Sequence, residues 1–348
     1  METNHRVYFK NSVNLDGIVD GSIDLMVTSP PYPMIEMWDD IFSLQNPLIK
    51  DALHGKRGDL AYELMHNELE KVWKQVYRVL KNGAFACINI GDATRKVDDE
   101  FKLYPNYSRV LNCCMDLGFS PMPEILWKKQ TNAPNKFLGS GMLPGGAYVT
   151  LEHEFILILR KGSKRETKED EKLKRLQSAF FYEERNTWFS DIWDNLKGTK
   201  QKNIDSKIRE RSGAFPFELP YRLINMFSLK GETILDPFLG TGTTMAAAMA
   251  TARNSVGFEI DCNFQELYKE KFKDIVDLSN EMIKNRLSDH RAFIENEKKR
   301  RTFRHVNKEY GFPVVTKQET EITLDLLTEI TDQGNGQFKV TYLPTIER

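Results

Sequence analysis

The sequence predicts an α/β fold in which a mostly parallel sheet carries helices on both faces. Short apolar runs with the length of buried strands alternate along the chain with amphipathic segments of helical spacing, which is the pattern of such sheets. The clearest strand, at 84–90, lies between helical patterns at 63–80 and 107–117. Two further strands end in turns rich in proline or glycine, where open α/β sheets place their ligands.

Each element follows from its spacing and from the residues that end it. In the first helix Leu69, Val72 and Val76 recur every three or four positions, and the turn at 81–83 ends the pattern. The segment 33–58 mixes apolar and turn residues and is predicted as a loop with helical pieces. The remaining predictions are a strand and short helix over 7–15, strands at 24–28, 124–127, 154–159, 233–235 and 256–259, a helix at 220–229, and a long charged helix from 261 toward 304.

A stiff corner, Ser29–Tyr32 with the sequence Ser-Pro-Pro-Tyr, follows the strand at 24–28. Proline cannot continue a sheet ladder, and it biases the preceding residue toward extended geometry. The corner presents a hydroxyl, free backbone carbonyls and an aromatic face, which suit a flat heterocycle with an amino group. An ordinary proline turn is the alternative for this motif taken alone.

A glycine-rich turn links another strand to a helix of small residues. Asp236 ends the strand, and Gly240 and Gly242 lie in the turn. Glu259 ends the next strand, about twenty residues further on. Glycines let a backbone approach a ligand closely, and the second acid can accept hydrogen bonds from ribose hydroxyls. The pattern therefore indicates a nucleoside cofactor site rather than a purely structural turn.

The competing interpretation of this turn is a nicotinamide dinucleotide site, and two features argue against it. The third glycine of G-x-G-x-x-G is absent, and Asp236 before the glycines would repel a pyrophosphate. The same carboxylate can meet an amino group, so a cofactor that joins an amino acid to adenosine fits better. S-adenosyl-L-methionine is the common cofactor of that kind.

Composition excludes several classes of protein. No apolar run approaches the roughly 20 residues that span a bilayer, and the N-terminus lacks an apolar signal core. We therefore expect no membrane partner and a cytoplasmic location. The four cysteines lack zinc spacing, and no metal site is predicted. A formal net charge of -1 does not itself indicate nucleic-acid binding, although it says little about a locally basic face.

An aromatic and then basic stretch follows the strand at 154–159. Charges of both signs over 161–174 favour a solvated helix or linker. Rings over 180–193 and cations over 197–211 together have the composition of a nucleic-acid face, because rings stack on bases and cations meet phosphates. Aromatic clusters also fill cores, and this alternative stays open.

With both turns identified, the chain resembles the amino-directed DNA methyltransferases of restriction–modification systems. The corner precedes the Asp-Pro-Phe-x-Gly-x-Gly loop, which is the order of the permuted "beta" group. Further matches lie at 124–128, 152–155, 188–193 and 215–224, and the resemblance covers about residues 5–262. It implies a Rossmann-like methyltransferase fold with an antiparallel edge and an inserted target-recognition segment. The implied units are a catalytic half at 1–160, the recognition insertion at 161–212, a cofactor half at 213–262, and a C-terminal helical extension at 263–348 with a small appended α/β piece (candidate strands 322–324 and 338–340).

The resemblance also implies a substrate, double-stranded DNA, and a set of site residues. A helix that begins near Phe215 and Pro216 would close over the methionine end of the cofactor. Many members carry Gly-Asp where this chain has Lys10-Asn11. Asn11 therefore takes the position that in those members contacts the amino group of the cofactor's adenine. The implied catalytic residues are Ser29, Pro30, Pro31 and Tyr32, the implied cofactor-binding residues are Asp236, Pro237, Phe238, Gly240, Gly242, Thr243, Thr244, Glu259, Phe215, Pro216 and Asn11, and the implied substrate-binding residues are Trp127 and Lys128.

The expected reaction is methyl transfer to the exocyclic amino nitrogen of a base flipped out of duplex DNA. Hydrogen bonds accepted by Ser29 Oγ and the Pro30 carbonyl would free the nitrogen lone pair, while Tyr32 stacks on the ring. Methylation at carbon 5 of cytosine needs a cysteine nucleophile, conventionally after proline, and the chain has no Pro-Cys pair. In the family, serine before Pro-Pro-Tyr goes mostly with cytosine N4, so cytosine N4 is expected.

Three rivals stay open. Physical chemistry does not separate cytosine N4 from adenine N6, because both are amidine-like amino groups. Related Asn-Pro-Pro-Tyr corners serve enzymes that methylate RNA or protein glutamine. A binding protein that kept the fold and lost the chemistry is the third rival, and the intact corner and glycine turn disfavour it. A cognate restriction endonuclease acting on the same site is a further expected partner, whereas the recognised sequence is not predicted.

Overall fold

The structure is a computed structural model that describes residues 1–129, 138–196 and 215–345. Its strands, numbered along the chain, are β1 Glu2–Phe9, β2 Ile23–Thr28, β3 Leu80–Ile90, β4 Ala93–Val97, β5 Glu100–Tyr104, β6 Phe119–Pro121, β7 Ile125–Lys128, β8 Leu138–Gly139, β9 Ala147–Tyr148, β10 His153–Lys161, β11 Ile192–Trp193, β12 Thr233–Asp236, β13 Asn254–Glu259, β14 His305–Val306, β15 Pro313–Val314, β16 Asp325–Gly334 and β17 Gln337–Pro344. Its α-helices are α1 Asp39–Gln45, α2 Pro47–His54, α3 Gly58–Val79, α4 Asn106–Asp116, α5 Lys172–Gln177, α6 Tyr182–Trp188, α7 Glu218–Phe227, α8 Thr243–Ala250, α9 Phe264–Lys273 and α10 Ile275–Glu297.

One large sheet runs through the molecule in the strand order β11-β7-β10-β3-β2-β12-β13-β1-β17-β16, with β6 beside β10. Its five central strands, from β3 to β1, are parallel. Antiparallel strands flank them on both sides, β10 and β7 beyond β3, and β17 and β16 beyond β1. The predicted α/β fold with a parallel centre and an antiparallel edge is confirmed, and the sheet has two such edges.

The central strands are apolar throughout because helices cover both of their faces. Strand β2 is buried at every position. Leu25 and Val27 face a core layer that also contains residues of α7 and α8, whereas Met26 faces a second layer with residues of α3. Successive side chains of a strand point to opposite faces, so a strand between two helical layers needs apolar residues at every position.

Before the C-terminal region, the predicted helices are close to those observed, with one exception near the N-terminus. Helix α3 buries Met65, Leu69 and Val72 along one stripe, and the segment before it holds α1 and α2 as expected. No helix forms after β1, because the Asn11 side chain accepts a hydrogen bond from the Val13 N–H at 2.9 Å and turns the chain. Among the described residues, no helix combines the length and apolarity needed to cross a bilayer.

The C-terminal region differs from its prediction in two ways. The predicted long charged helix is two helices, α9 and α10. Helix α9 packs Tyr268 and Phe272 against the glycine turn, whereas α10 packs against different elements of the fold. The last two strands do not form a small appended piece; β17 pairs with β1 and β16 pairs with β17, both in the main sheet. The open edge of β1 explains this position, since an unpaired strand edge leaves backbone hydrogen-bonding groups without partners.

The described part of the predicted recognition insertion, 161–196, packs on the rest of the chain. Trp188 and Trp193 are buried in the main core, and Phe181 belongs to a smaller cluster with residues of α10. His290 Nδ1 lies 2.8 Å from Glu183 Oε1 and joins α6 to α10. Most of these rings therefore serve packing, which is the alternative that the sequence left open. The basic stretch at 197–211 lies outside the described residues.

Candidate functional site

The two predicted turns meet at the carboxyl edge of the central sheet. Strands β2 and β12 are parallel neighbours, so the corner after β2 lies beside the turn after β12. A direct contact joins them, because Thr28 Oγ1 donates a hydrogen bond of 2.6 Å to Asp236 Oδ1. Strand β13 lies on the other side of β12 and brings Glu259 to the same edge. The structure thus assembles one site from motifs that are far apart in sequence.

Asp236 is a buried carboxylate held by hydroxyl and backbone donors. Besides Thr28, the Phe238 N–H donates to its Oδ1 at 3.1 Å. Burial raises the pKa of this carboxyl to about 6, although these donors act in the opposite direction. An ammonium group placed here would meet an acceptor that is already oriented.

The glycines of the turn have different functions. Gly240 has a φ of +50°, and among the described residues a Cβ there would meet only the Phe238 carbonyl oxygen within 4 Å, so the turn offers an open face to a ligand. Gly242 has a φ of +78°, and a Cβ there would lie 3.1 Å from the Tyr268 ring and 3.3 Å from Phe272. The first glycine permits close approach of a ligand, and the second permits close packing of α9.

Glu259 spans the turn and the end of β13. Its Oε2 accepts a hydrogen bond from the Gly240 N–H at 2.8 Å, and its Oε1 accepts one from the Asp261 N–H at 2.9 Å. Burial raises the pKa of this carboxyl to about 7, against the effect of the backbone donors. A carboxylate has about four acceptor sites, so Glu259 can also accept hydrogen bonds from ribose hydroxyls.

Lys271 braces the turn from α9. Its ammonium donates hydrogen bonds to the Thr241 carbonyl at 2.8 Å and to Thr243 Oγ1 at 3.0 Å. Burial lowers the pKa of this lysine to about 8. The lysine therefore ties the turn to the first residue of α8.

These residues fit the S-adenosyl-L-methionine expected from the sequence. The site offers acceptors at Asp236 and Glu259 and an open glycine between them, and the cofactor offers an ammonium group and two ribose hydroxyls as donors. Phe215 and Pro216 are buried just before α7, and the Pro216 carbonyl accepts a hydrogen bond from the Leu219 N–H at 3.0 Å. The remaining predicted cofactor residues near the turn are Pro237, which is buried, Phe238, whose ring contacts Trp73, and Thr244, whose Oγ1 lies 3.4 Å from the Val27 carbonyl oxygen.

The corner after β2 holds a chain of hydrogen bonds. Ser29 Oγ donates to the Tyr32 hydroxyl at 3.0 Å, and that hydroxyl donates to Glu154 Oε2 at 3.0 Å. Asn89 Nδ2 donates to the same hydroxyl at 2.8 Å and to Glu154 Oε2 at 2.7 Å. Lys129 Nζ forms an ion pair with Glu154 Oε1. Side chains from the corner and from three other strands or strand ends therefore form one network.

Tyr32 stays protonated in this network. Burial, and then the charge of Glu154, raise the pKa of its phenol well above the usual value. The ring also lies close to backbone, because a Cβ on Gly91 would be 3.0 Å from Tyr32 Cε2 and 3.2 Å from Glu154 Cγ. The neighbouring Pro30 is buried and Pro31 is half-buried.

Three of the predicted ligand contacts are not part of the two hydrogen-bonded groups described above. Asn11 follows β1, the neighbour of β13, and its side chain is engaged by the Val13 N–H. Trp127 is only 4% exposed and packs in the main core, and its role as a substrate contact stays a prediction. Lys128, on the same strand, is exposed and remains a predicted substrate contact.

Sequence reasoning missed the partners that orient the predicted residues. Thr28, Asn89 and Glu154 each lie at an end of a buried strand on the carboxyl edge, and Lys129 follows β7. A polar side chain at the end of an otherwise apolar strand was the available signal. That signal alone does not say which of these ends are neighbours, since this depends on strand order.

Comparisons with known proteins agree with this site. The N6/N4 methyltransferase family model, described as DNA methylase, matches residues 23–270. The chain is 48% identical over 345 residues to the Type II methyltransferase M.MthZI of Methanothermobacter thermautotrophicus, covering 98% of this chain and 96% of that protein. It is 50% identical over 280 residues to the Type II methyltransferase M.MjaI of Methanocaldococcus jannaschii, covering 77% of this chain and 91% of that protein.

A solved structure supports the cofactor. A DNA modification methylase of Thermus thermophilus, in complex with S-adenosyl-L-methionine, superposes with a TM-score of 0.60 at 28% identity, covering 78% of this chain and 94% of that chain. Together with the fit of Asp236 and Glu259, this neighbour indicates S-adenosyl-L-methionine as the cofactor. The chain therefore belongs to the DNA methylase family of N6/N4 amino-methyltransferases.

Proposed function

We propose that this DNA methyltransferase is site-specific and methylates N4 of a cytosine flipped out of duplex DNA. The observation that carries the proposal is the orientation of the Ser29 hydroxyl. Because Ser29 donates its hydrogen to Tyr32, both of its oxygen lone pairs remain free to accept from an amino group. Serine at this corner goes mostly with cytosine N4 in the enzymes that the chain resembles.

The corner acts by positioning and by accepting hydrogen bonds. An exocyclic amino nitrogen is a poor nucleophile, because its lone pair is delocalised into the ring. Ser29 Oγ and the Pro30 carbonyl accept from its two hydrogens and draw the nitrogen toward tetrahedral geometry. The Tyr32 ring stacks on the extruded base and offsets part of the cost of flipping. The cofactor supplies the methyl group, and in-line alignment provides most of the rate enhancement.

The other side of the site holds the cofactor. Asp236 accepts from the ammonium group of the methionine moiety, and Glu259 accepts from the ribose hydroxyls. Gly240 allows the nucleoside to approach the backbone, and Phe215 and Pro216 cover the methionine end. The remaining proposed contacts are Asn11 toward the adenine, and Pro237, Phe238, Gly242, Thr243 and Thr244 along the turn.

The residues that recognise the DNA sequence lie outside the carboxyl edge of the central sheet. We assign this recognition to the segment 161–212 together with the exposed Lys128. The relatives are named Type II methyltransferases. We accordingly propose that the chain protects a site that a cognate restriction endonuclease cleaves.

The test is incubation of the pure protein with labelled S-adenosyl-L-methionine and unmethylated mixed-sequence DNA, followed by mass spectrometry of the nucleosides. N4-methyldeoxycytidine is expected. N6-methyldeoxyadenosine would overturn the base assignment and keep the mechanism. Label found in RNA or in protein glutamine, and absent from DNA, would overturn the proposed substrate.

A further inference from the structure

We propose that Glu154 is a positioning residue that takes up the proton released during methylation, through a relay made of Ser29 and Tyr32. The proposal rests on the proposed function, because it concerns the amino group that the corner binds. Methylation leaves this nitrogen with a positive charge and one hydrogen too many. The corner therefore needs a route for that proton, and its hydrogen bonds supply one.

The direction of the hydrogen bonds defines the route. The Tyr32 oxygen accepts from Ser29 Oγ at 3.0 Å and from Asn89 Nδ2 at 2.8 Å. Its own hydrogen points to Glu154 Oε2 at 3.0 Å, because that carboxylate is closer than the other acceptor, the Asn89 carbonyl oxygen at 3.4 Å. Asn89 Nδ2 also donates to that carboxylate oxygen, at 2.7 Å. An amide N–H can only donate here, and this fixes the Tyr32 oxygen as an acceptor on that side. All hydrogens in the row consequently point from Ser29 toward Glu154.

The end of the row suits a carboxylate that gains and loses a proton. Glu154 is largely buried, with its side chain 10% exposed, and it is paired with Lys129, whose side chain is 47% exposed. The ammonium also lies 5.4 Å from the centre of the Trp127 ring. Asn89 and Lys129 stabilise the ionised form, and the solvent-accessible lysine side leads the proton to water.

The step balances in atoms and charge. The nitrogen lone pair forms the N–CH₃ bond while the S–CH₃ bond breaks, and its electron pair stays on sulfur, which becomes a neutral thioether. The N–H bond then breaks, and its electron pair returns to nitrogen. The proton goes to Ser29 Oγ, the Ser29 hydrogen goes to the Tyr32 oxygen, and the Tyr32 hydrogen goes to Glu154 Oε2. The carboxylate ends as a neutral acid, and both hydroxyls are restored.

The same kind of pair elsewhere in the chain provides a matched control. The Tyr107 hydroxyl donates a hydrogen bond to Glu124 Oε2 at 2.8 Å. Among the described residues, no serine hydroxyl and no side-chain amide donates to the Tyr107 oxygen, as Ser29 and Asn89 do at Tyr32. A tyrosine–glutamate bond of this kind contributes to folding without a relay. Glu124→Gln therefore reports the cost of losing such a bond.

The experiment measures single-turnover methylation of DNA by wild type, Glu154→Gln, Tyr32→Phe, the double variant and Glu124→Gln, from acid to alkaline pH. Cofactor dissociation constants and melting temperatures are measured beside it. We expect Glu154→Gln to slow methylation about 100-fold with cofactor affinity within about twofold of wild type. The pH profiles of wild type and Glu154→Gln should differ, because only the wild-type side chain can receive the proton.

The double variant distinguishes a relay from two independent contacts. Because Tyr32 and Glu154 serve one path, the double variant should lose no more than the worse single variant. If the losses of the two single variants multiply in the double variant, the relay is overturned. The same holds if Glu154→Gln methylates within about threefold of the wild-type rate, or no more slowly than Glu124→Gln. These outcomes would leave the proposed function untouched. No methylated nucleoside from wild type would overturn the proposed function and the relay with it. N6-methyldeoxyadenosine from wild type would leave the relay standing, since it serves either amino group.

Discussion

The two halves of the site are built in different ways. On the cofactor side, the two carboxylates and the glycine turn lie within one stretch of chain from Asp236 to Glu259, and backbone N–H groups in and beside that stretch donate to both carboxylates. The corner that we propose is catalytic joins Ser29 and Tyr32 to Asn89 and Glu154, which come from other strands. A local motif therefore specifies the first half, and the packing of three strands specifies the second.

The electrostatics of the two halves differ as well. Burial raises the pKa of both cofactor-side carboxyls, Asp236 to about 6 and Glu259 to about 7. At the corner, by contrast, Glu154 has an ammonium partner in Lys129. Changes on the cofactor side should thus alter binding, whereas changes at the corner should alter the rate of methyl transfer.

Ser29→Ala should have the largest effect on rate. It removes the acceptor that we propose acts on the amino group in the transition state, so we expect single-turnover methylation to fall by about 10² to 10³-fold. Cofactor affinity measured by calorimetry should stay within about twofold, because the hydroxyl donates its hydrogen bond to Tyr32 and not to a residue of the turn. Ser22→Ala at the other end of β2, where the hydroxyl donates to the Val19 carbonyl, is the matched control. A rate near wild type would remove Ser29 from the mechanism.

Glu259→Gln should show the opposite pattern, with weaker cofactor binding and an unchanged rate at saturation. Loss of charge-assisted hydrogen bonds costs about 1.5–3 kcal/mol, or roughly a 10- to 100-fold rise in the cofactor dissociation constant. Only the ionised carboxylate accepts from both ribose hydroxyls, so wild-type affinity should increase as pH rises through about 7. The variant should show no such dependence.

The matched control for this carboxylate is Glu266→Gln, whose side chain is 79% exposed and pairs with Lys269. It should leave the dissociation constant unchanged. If Glu259→Gln binds the cofactor as tightly as wild type across this pH range, the assignment of the ribose contact is wrong.

Gly91→Ala should produce a smaller effect, confined to the corner. The added methyl group would lie 3.0 Å from Tyr32 and 3.2 Å from Glu154, so both side chains must shift. We expect a several-fold slower methyl transfer and about 1–3 kcal/mol lower stability, with cofactor affinity retained. Gly55→Ala meets a backbone oxygen at the same 3.0 Å and lies away from the site. If Gly55→Ala slows methyl transfer as much as Gly91→Ala does, the slower rate of Gly91→Ala results from lower stability and not from a change at the corner.

His290 lies outside both halves and should affect stability alone. Burial lowers its pKa, but the hydrogen bond and charge of Glu183 outweigh burial, and the net pKa is raised above 6.5. Because the folded value is the higher one, the stabilisation is complete below pH 6.5 and is lost as pH rises through the folded pKa. Each unit of difference corresponds to about 1.4 kcal/mol.

Urea unfolding of wild type and His290→Gln from about pH 5.5 to 9 measures this contribution. The difference in free energy of unfolding should shrink toward high pH, while the methylation rate stays within about twofold. His54→Gln, an exposed histidine at the end of α2, should show no such change. A difference that is constant with pH would contradict the assigned charge on His290.

The aromatic segment shows a limit of what a sequence pattern can predict. Rings over 180–193 followed by cations could serve either DNA stacking or packing. Only the structure shows that Trp188 and Trp193 are buried in the main core and that Phe181 packs with α10. Composition cannot separate these outcomes, because the burial of a ring depends on which elements lie against it.

The sequence by itself determined the α/β class, most of the helices and the two turns that meet at the carboxyl edge of the sheet. These features depend on local physics: the apolar strands at 24–28 and 84–90, the proline corner and the glycine turn each have a signature within a few residues. Tertiary structure alone decided that Thr28 meets Asp236, that Glu154 meets Tyr32, and that the last strands extend the main sheet. The reason is physical, since such contacts depend on the order and direction of neighbouring strands, which arise from packing the whole chain.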